Sequence, residues 1–188
     1  MISEILEFNQ GFVSRKDYER FRTDRFPDKK AVILTCMDTR LVELVPRAMN
    51  FRNGDVKMIK NAGAIVSHAF GSVMRSIIVA VYELNAQEVI VIGHHDCGMM
   101  GLSCARVLDK AKAQGVSDDV LKMLKNSGIE LEKWLTGFDN PEAGVRDSVE
   151  IIRHHPLLPK EVIVHGLLIH PETGKLEVVV DGYANVKR

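Results

Sequence analysis

Three cysteines are few for a chain of 188 residues, and that scarcity narrows the function. An odd, small cysteine set argues against a disulfide framework and leaves the thiols for burial, metal ligation or nucleophilic chemistry. An excess of one charge is also missing: Lys+Arg and Asp+Glu both number 25, so the net charge is zero with neutral histidines. A nucleic-acid or anionic-membrane partner normally shows as a basic excess or stripe, and neither is expected. No stretch approaches the ~20 apolar residues that a membrane helix needs. The opening MISEILEFNQGF carries acidic residues within its apolar stretch and has no basic region ahead of an apolar run, so it does not read as a signal peptide. A cytoplasmic protein is the resulting expectation. Repeats, low-complexity tracts and a glycine-rich phosphate loop after a strand are absent too, which sets nucleotide binding aside.

What is present fits a globular chain, with 46% hydrophobic and 27% charged residues, enough to bury a sizeable core. One α/β domain over residues 1–188 is expected, with a helical arm at 1–27 and a helical segment at 99–156. Ile2, Ile5, Leu6, Phe12 and Phe21 are the arm's apolar contacts. AVILT (Ala31 to Thr35) is a continuous apolar run, as in a strand buried on both faces. Asp55 to Lys60 follows as a second strand and Glu88 to Ile92 as a third. Between them Ala69 to Leu84 has helical spacing, with Ser67 as its cap. Breaks near Gly115, Gly128 and Gly137 divide the helical segment, and Asn140-Pro141 opens its last helix. Trp134 packs a helix with Leu131 and Leu135, and Cys104 reads as core. Val162 to Ile169 and Leu176 to Val180 complete a mainly parallel sheet of about five strands, with an antiparallel edge strand and helices on both faces.

Two segments sit directly after predicted buried strands, where functional groups gather in open α/β sheets. One is Cys36-Met37-Asp38-Thr39-Arg40; the other is Gly93-His94-His95-Asp96-Cys97-Gly98. If the two strands are neighbours, two thiolates and an imidazole converge. Soft sulfur donors favour zinc over magnesium or calcium. Three protein ligands leave a fourth position open, the catalytic pattern, and no fourth cysteine or histidine at structural spacing is evident. Taken singly, Cys36 would be an ordinary core residue and His94 a satisfied polar group; their joint placement, bracketed by Gly93 and Gly98, favours the metal. Asp38 and Arg40 alternate on a segment read as extended, so both face the same side as Cys36, with the guanidinium holding the carboxylate in a bidentate pair. Asp38 has three candidate roles: fourth ligand, hydrogen-bond acceptor for bound water, or plain partner of Arg40. Asp96 reads equally as a turn former. Histidine as a residue type exchanges protons near neutral pH, which makes His68, His95, His154 and His155 candidate proton carriers, though an ordinary surface or core histidine suits each better.

Cys36-x-Asp38-x-Arg40, then Asn61-Ala62-Gly63, then Gly93-His94-x-x-Cys97-Gly98 resembles the signature set of the β-carbonic anhydrases in order and approximate separation. The resemblance runs over roughly Lys30 to Gly182 and is closest to the short prokaryotic branch; the pocket glutamine of plant-type members is not found. It implies zinc held by Cys36, His94 and Cys97, with Asp38 and Arg40 as the catalytic dyad and Asp38 as an alternative fourth ligand. It implies a lyase that hydrates carbon dioxide reversibly to bicarbonate through hydroxide supplied by zinc, in a homodimer or dimer-based oligomer whose N-terminal helices pack on the neighbour. Ala62, Gly63 and Gly98 are the substrate-binding candidates, and Met37, Ala64, Ile65 and Val66 the apolar lining. Carbonyl sulfide or carbon disulfide hydrolysis on the same scaffold is the nearest alternative, and a non-catalytic zinc-binding protein the next.

Overall fold

The computed structural model describes residues 1–185. Five strands, β1 (Ala31–Cys36), β2 (Val56–Asn61), β3 (Glu88–His94), β4 (Ile163–Ile169) and β5 (Leu176–Val180), form one sheet in the order β2-β1-β3-β4-β5. The β1–β2, β1–β3 and β3–β4 pairs are parallel and β4–β5 is antiparallel, the arrangement expected from the sequence. β1 is buried along its whole length and β3 nearly so, which is why both read as continuous apolar runs.

Side chains alternate across the sheet and feed two cores. Ile33, Ile90 and Ile92 pack with Leu41 and Val45 of α2 (Leu41–Ala48). Val32, Leu34, Val89 and Val91 pack with α3 (Ser72–Leu84) and α7 (Pro141–Arg153) on the other face. The chain passes from β1 to β2 on one side and from β3 to β4 on the other, so the strand order reverses between β1 and β3. A crevice at the carboxyl ends of these two neighbours follows from that reversal.

α7 starts as the sequence predicts: the Asn140 Oδ1 accepts the Ala143 N–H at 2.8 Å, and Pro141 occupies the first turn. Gly93, where the sequence calls for either a sharp bend or a close approach, takes the second and is a packing seat. A Cβ there would lie 2.6 Å from Val145 Cγ2, and one at Gly166 would lie 2.7 Å from Val145 Cγ1. Val145 of α7 thus presses into two bare patches on adjacent strands. α4 (Cys104–Ala113), α5 (Asp118–Asn126) and α6 (Leu131–Leu135) fill the rest of the segment before α7.

Three local expectations need correction. α3 begins at Ser72 rather than Ala69, and Ser67 does not cap it. The His68 Nδ1 and carbonyl accept the N–H groups of Phe70 and Gly71, closing a separate turn ahead of the helix. Residues 37–40 are not extended: the Leu41 N–H reaches the Asp38 carbonyl at 3.0 Å and the chain turns into α2. Trp134 is 63% exposed because α6 is short and buries none of its residues. α1 (Ile2–Ser14) is the first helix, followed by a 3-10 turn over Asp17–Phe21, where Phe12 stacks on Phe21. No helix among the described residues is long and apolar enough to cross a membrane.

Candidate metal centre

Cys36 ends β1, His94 ends β3, and Cys97 follows three residues later, so the crevice between the two strands collects all three. Their side chains are buried, and the donor atoms lie within 4.8 Å of one another, with 4.0 Å between the two sulfurs. The His94 ring is fixed by a 2.8 Å contact from Nδ1 to the His95 carbonyl. A carbonyl only accepts, so Nδ1 carries the proton and the Nε2 lone pair faces the sulfurs. That Nε2 is the one buried side-chain polar atom left without a partner among the described residues. Such an orphan costs about 1–3 kcal/mol in an ordinary interior. A cation between two sulfurs and an imidazole nitrogen would remove the cost, and the donor set suits zinc.

The loops are shaped around these donors. Asp96 takes the left-handed conformation (φ 53°), which swings the chain so that Cys97 returns to His94. Gly63 donates its N–H to the Cys36 sulfur at 3.4 Å. It does so at φ +80°, with the place of a Cβ only 2.9 Å from Met99 Cγ and Ile65 Cδ1, so glycine alone fits. The Asn61 side chain clamps this loop through both the N–H and the carbonyl of Ile65. Ser148 of α7 holds it from the other side, through the Val66 N–H and the Ala64 carbonyl.

The hydrogen bond with Cys97 pulls the Cys36 thiol down to about 4 against the effect of burial, helped by the Gly63 N–H. The same contact, with burial, pushes Cys97 up. One proton therefore serves two sulfurs, and a divalent cation would displace it. Beside them, Arg40 grips Asp38 in a fork: Nε to Oδ1 at 3.0 Å and Nη2 to Oδ2 at 2.9 Å, with the Arg40 backbone N–H also on Oδ1. This grip holds the Asp38 carboxyl down at about 2. Asp38 Oδ2 lies 3.9 Å from His94 Nε2, so the carboxylate borders the donor cluster.

The remaining sequence candidates divide. Ala62, Ile65 and Val66 line a cavity of about 480 Å³ that also touches Met99 and Phe138. Ala64 belongs to the core and Met37 is exposed, so neither takes the lining role expected of it. Gly63 spends its N–H on Cys36 rather than presenting it outward. Gly98 has nothing within 4 Å of where a Cβ would stand. His154 and His155 follow α7, whose Arg153 bonds the Val164 carbonyl near the start of β4, the sheet end away from His94. Of the candidate proton carriers, His95 stays beside the site, 3.5 Å from Glu177. Ser148 carried no signal in the sequence, being one small polar residue inside a helix.

A family model described as carbonic anhydrase matches residues 31–176. The chain belongs to this family. It is similar to "Putative carbonic anhydrase YtiB" of Bacillus subtilis (strain 168), with 58% identity covering 98% of this chain and 99% of the relative. It is also similar to a carbon disulfide hydrolase of Saccharolobus solfataricus, with 32% identity over 94% of this chain and 89% of that one. Among solved structures, the β-carbonic anhydrase isoform I of Trichomonas vaginalis superposes with a TM-score of 0.88 at 33% identity, covering 97% of this chain and 99% of that chain. The α/β fold is that of the β-class.

Proposed function

We propose that this protein is a zinc-dependent lyase that interconverts carbon dioxide and bicarbonate, with Cys36, His94 and Cys97 as the metal ligands. The observation that carries the reading is the buried, unpartnered His94 Nε2 facing two sulfurs, with Asp38 Oδ2 3.9 Å away. Zinc, when bound, supplies a Lewis acid that brings the pKa of a water toward ~7. The protein's own groups do the rest. Asp38, kept ionised by Arg40, accepts a hydrogen bond at Oδ2 from the attacking water oxygen and fixes where its lone pair points. In the paired geometry Asp38 is engaged by Arg40 rather than serving as a fourth ligand. The Cys97 contact, with the Gly63 N–H as a smaller aid, favours Cys36 as the thiolate. Ala62 and its apolar cavity neighbours form the walls against which a small linear substrate rests, and Gly98 follows Cys97 in the donor loop.

The exposed apolar face of α1 (Ile2, Ile5, Leu6 and Phe8) supports a homodimer in which each arm covers its neighbour. Three unpaired cysteines suit a reducing, cytoplasmic setting. The likeness to a carbon disulfide hydrolase favours a second reading, sulfur-containing linear substrates on the same site.

Metal analysis with stopped-flow assays on carbon dioxide and carbon disulfide tests both. The wild type should carry one zinc per chain and hydrate carbon dioxide. Cys36→Ser should lose zinc and activity together. Asp38→Ala should keep zinc while turnover falls by about tenfold to a hundredfold, the loss of a hydrogen bond to a charged group in a transition state. Full activity in Cys36→Ser would refute the ligand assignment, and activity confined to carbon disulfide would transfer the site to the second reading.

A further inference from the structure

Asp96 is left over by the chemistry above. Its left-handed backbone suits an aspartate in a turn, yet a turn former bonds its own backbone nearby. Among the described residues the Asp96 carboxylate makes a different contact. Its Oδ2 accepts Arg40 Nη1 at 2.9 Å, and its carbonyl accepts Arg40 Nη2 at 3.0 Å.

From this geometry we infer that Asp96 is a positioning residue: it fixes the Arg40 guanidinium and, through it, the aim of Asp38. The inference rests on the role given to Asp38 above. The guanidinium is a planar fork, and both of its edges are occupied. Nε and Nη2 hold Asp38, while Nη1 and the second Nη2 proton hold Asp96. A bidentate pair alone can pivot as one body on the flexible arginine stem. A second anchor on another loop removes that freedom. Asp38 and Arg40 follow β1, whereas Asp96 follows β3, so the contact ties the loop behind Cys36 to the loop between His94 and Cys97. With Asp38 Oδ2 already 3.9 Å from His94 Nε2, a small pivot changes what the carboxylate faces. The Arg40 side chain is 39% exposed and that of Asp96 82%, so water competes for each bond and one anchor would hold the fork poorly.

The test compares wild type, Asp96→Ala and Asp96→Asn, each with and without zinc. Nitrogen-15 NMR of the arginine Nη groups, with Arg40 assigned through Arg40→Lys, reads the clamp directly. In the wild type, rotation about the Arg40 Cζ–Nη bonds should be slowed and its Nη signals resolved; in Asp96→Ala they should collapse. Zinc per chain should stay unchanged in Asp96→Ala, while kcat for carbon dioxide hydration falls about tenfold with KM within about twofold, as for one lost hydrogen bond to a charged group. Asp96→Asn keeps an acceptor at the same reach and should recover a large part of both readouts. It also carries the test should Asp96→Ala fail to fold by circular dichroism. Slowed Arg40 signals in folded Asp96→Ala, or zinc loss of equal size in both variants, would overturn the inference. Collapse of the Arg40 signals in a protein whose wild type does not hydrate carbon dioxide would uphold the clamp and remove the proposed reaction instead.

Discussion

Arg40 turns Asp38 into a carboxylate that stays charged through any physiological pH, and this has a consequence for stability. Its folded value, about 2, lies below the ordinary aspartate range. A depressed value means that the ionised carboxylate stabilises the fold fully above pH ~4 and that this contribution fades as the pH falls toward 2. Urea titrations of the metal-free protein should therefore show wild type more stable than Asp38→Asn at pH 5, with the gap closing between pH 4 and 2. Added salt should shrink the gap as well, because Arg40 is partly exposed. A gap independent of pH would show that the pairing does not stabilise the fold. At this scale the sequence was informative about residue types and poor on their second partners. Cys36, His94, Cys97 and the Asp38–Arg40 pair could be read because their chemistry is rare and their positions at strand ends are diagnostic. Asp96 on Arg40 and Ser148 under the Gly63 loop could not, since contacts 56 and 84 residues apart leave no local pattern.

Elements show the same division. β1 and β3 announce themselves because burial on both faces demands unbroken apolar runs. Residues 37–40 read as extended in the sequence because alternating side chains suit either conformation; what decides for the turn is the 3.0 Å bond from the Leu41 N–H to the Asp38 carbonyl. Gly93 leaves a related choice open: sequence marks a glycine but not whether backbone freedom or missing bulk is wanted. Here it is missing bulk. Gly93→Ala should destabilise the protein by ~1–3 kcal/mol, the usual cost of overpacking, because Val145 stands 2.6 Å from the new methyl. Adding Val145→Ala should relieve part of that strain, whereas Gly98→Ala, with open space around it, should stay close to wild type. Denaturant midpoints for the three variants check this, and a neutral Gly93→Ala would remove Val145 as the wedge between α7 and the sheet.

For the whole molecule, α1 is the element whose reason is not found within one chain. Its apolar residues were legible in the sequence, but their cover was not, and no residue of the helix is buried in the chain alone. Phe8 is 69% and Ile2 66% exposed, a patch that water disfavours. Removing residues 1–16 should turn a dimer into a monomer in sedimentation velocity, with the sheet's circular dichroism retained. A full-length chain that sediments as a monomer at micromolar concentration would leave the arm without a function.

The two sulfurs sit 61 residues apart in sequence and meet only where β1 lies beside β3. A chain still being synthesised can offer a passing ion one thiol, then a short His–Cys hook, but never the full set until those strands have zipped together. Capture of an ion by all three donors would thus wait until β1 and β3 have paired.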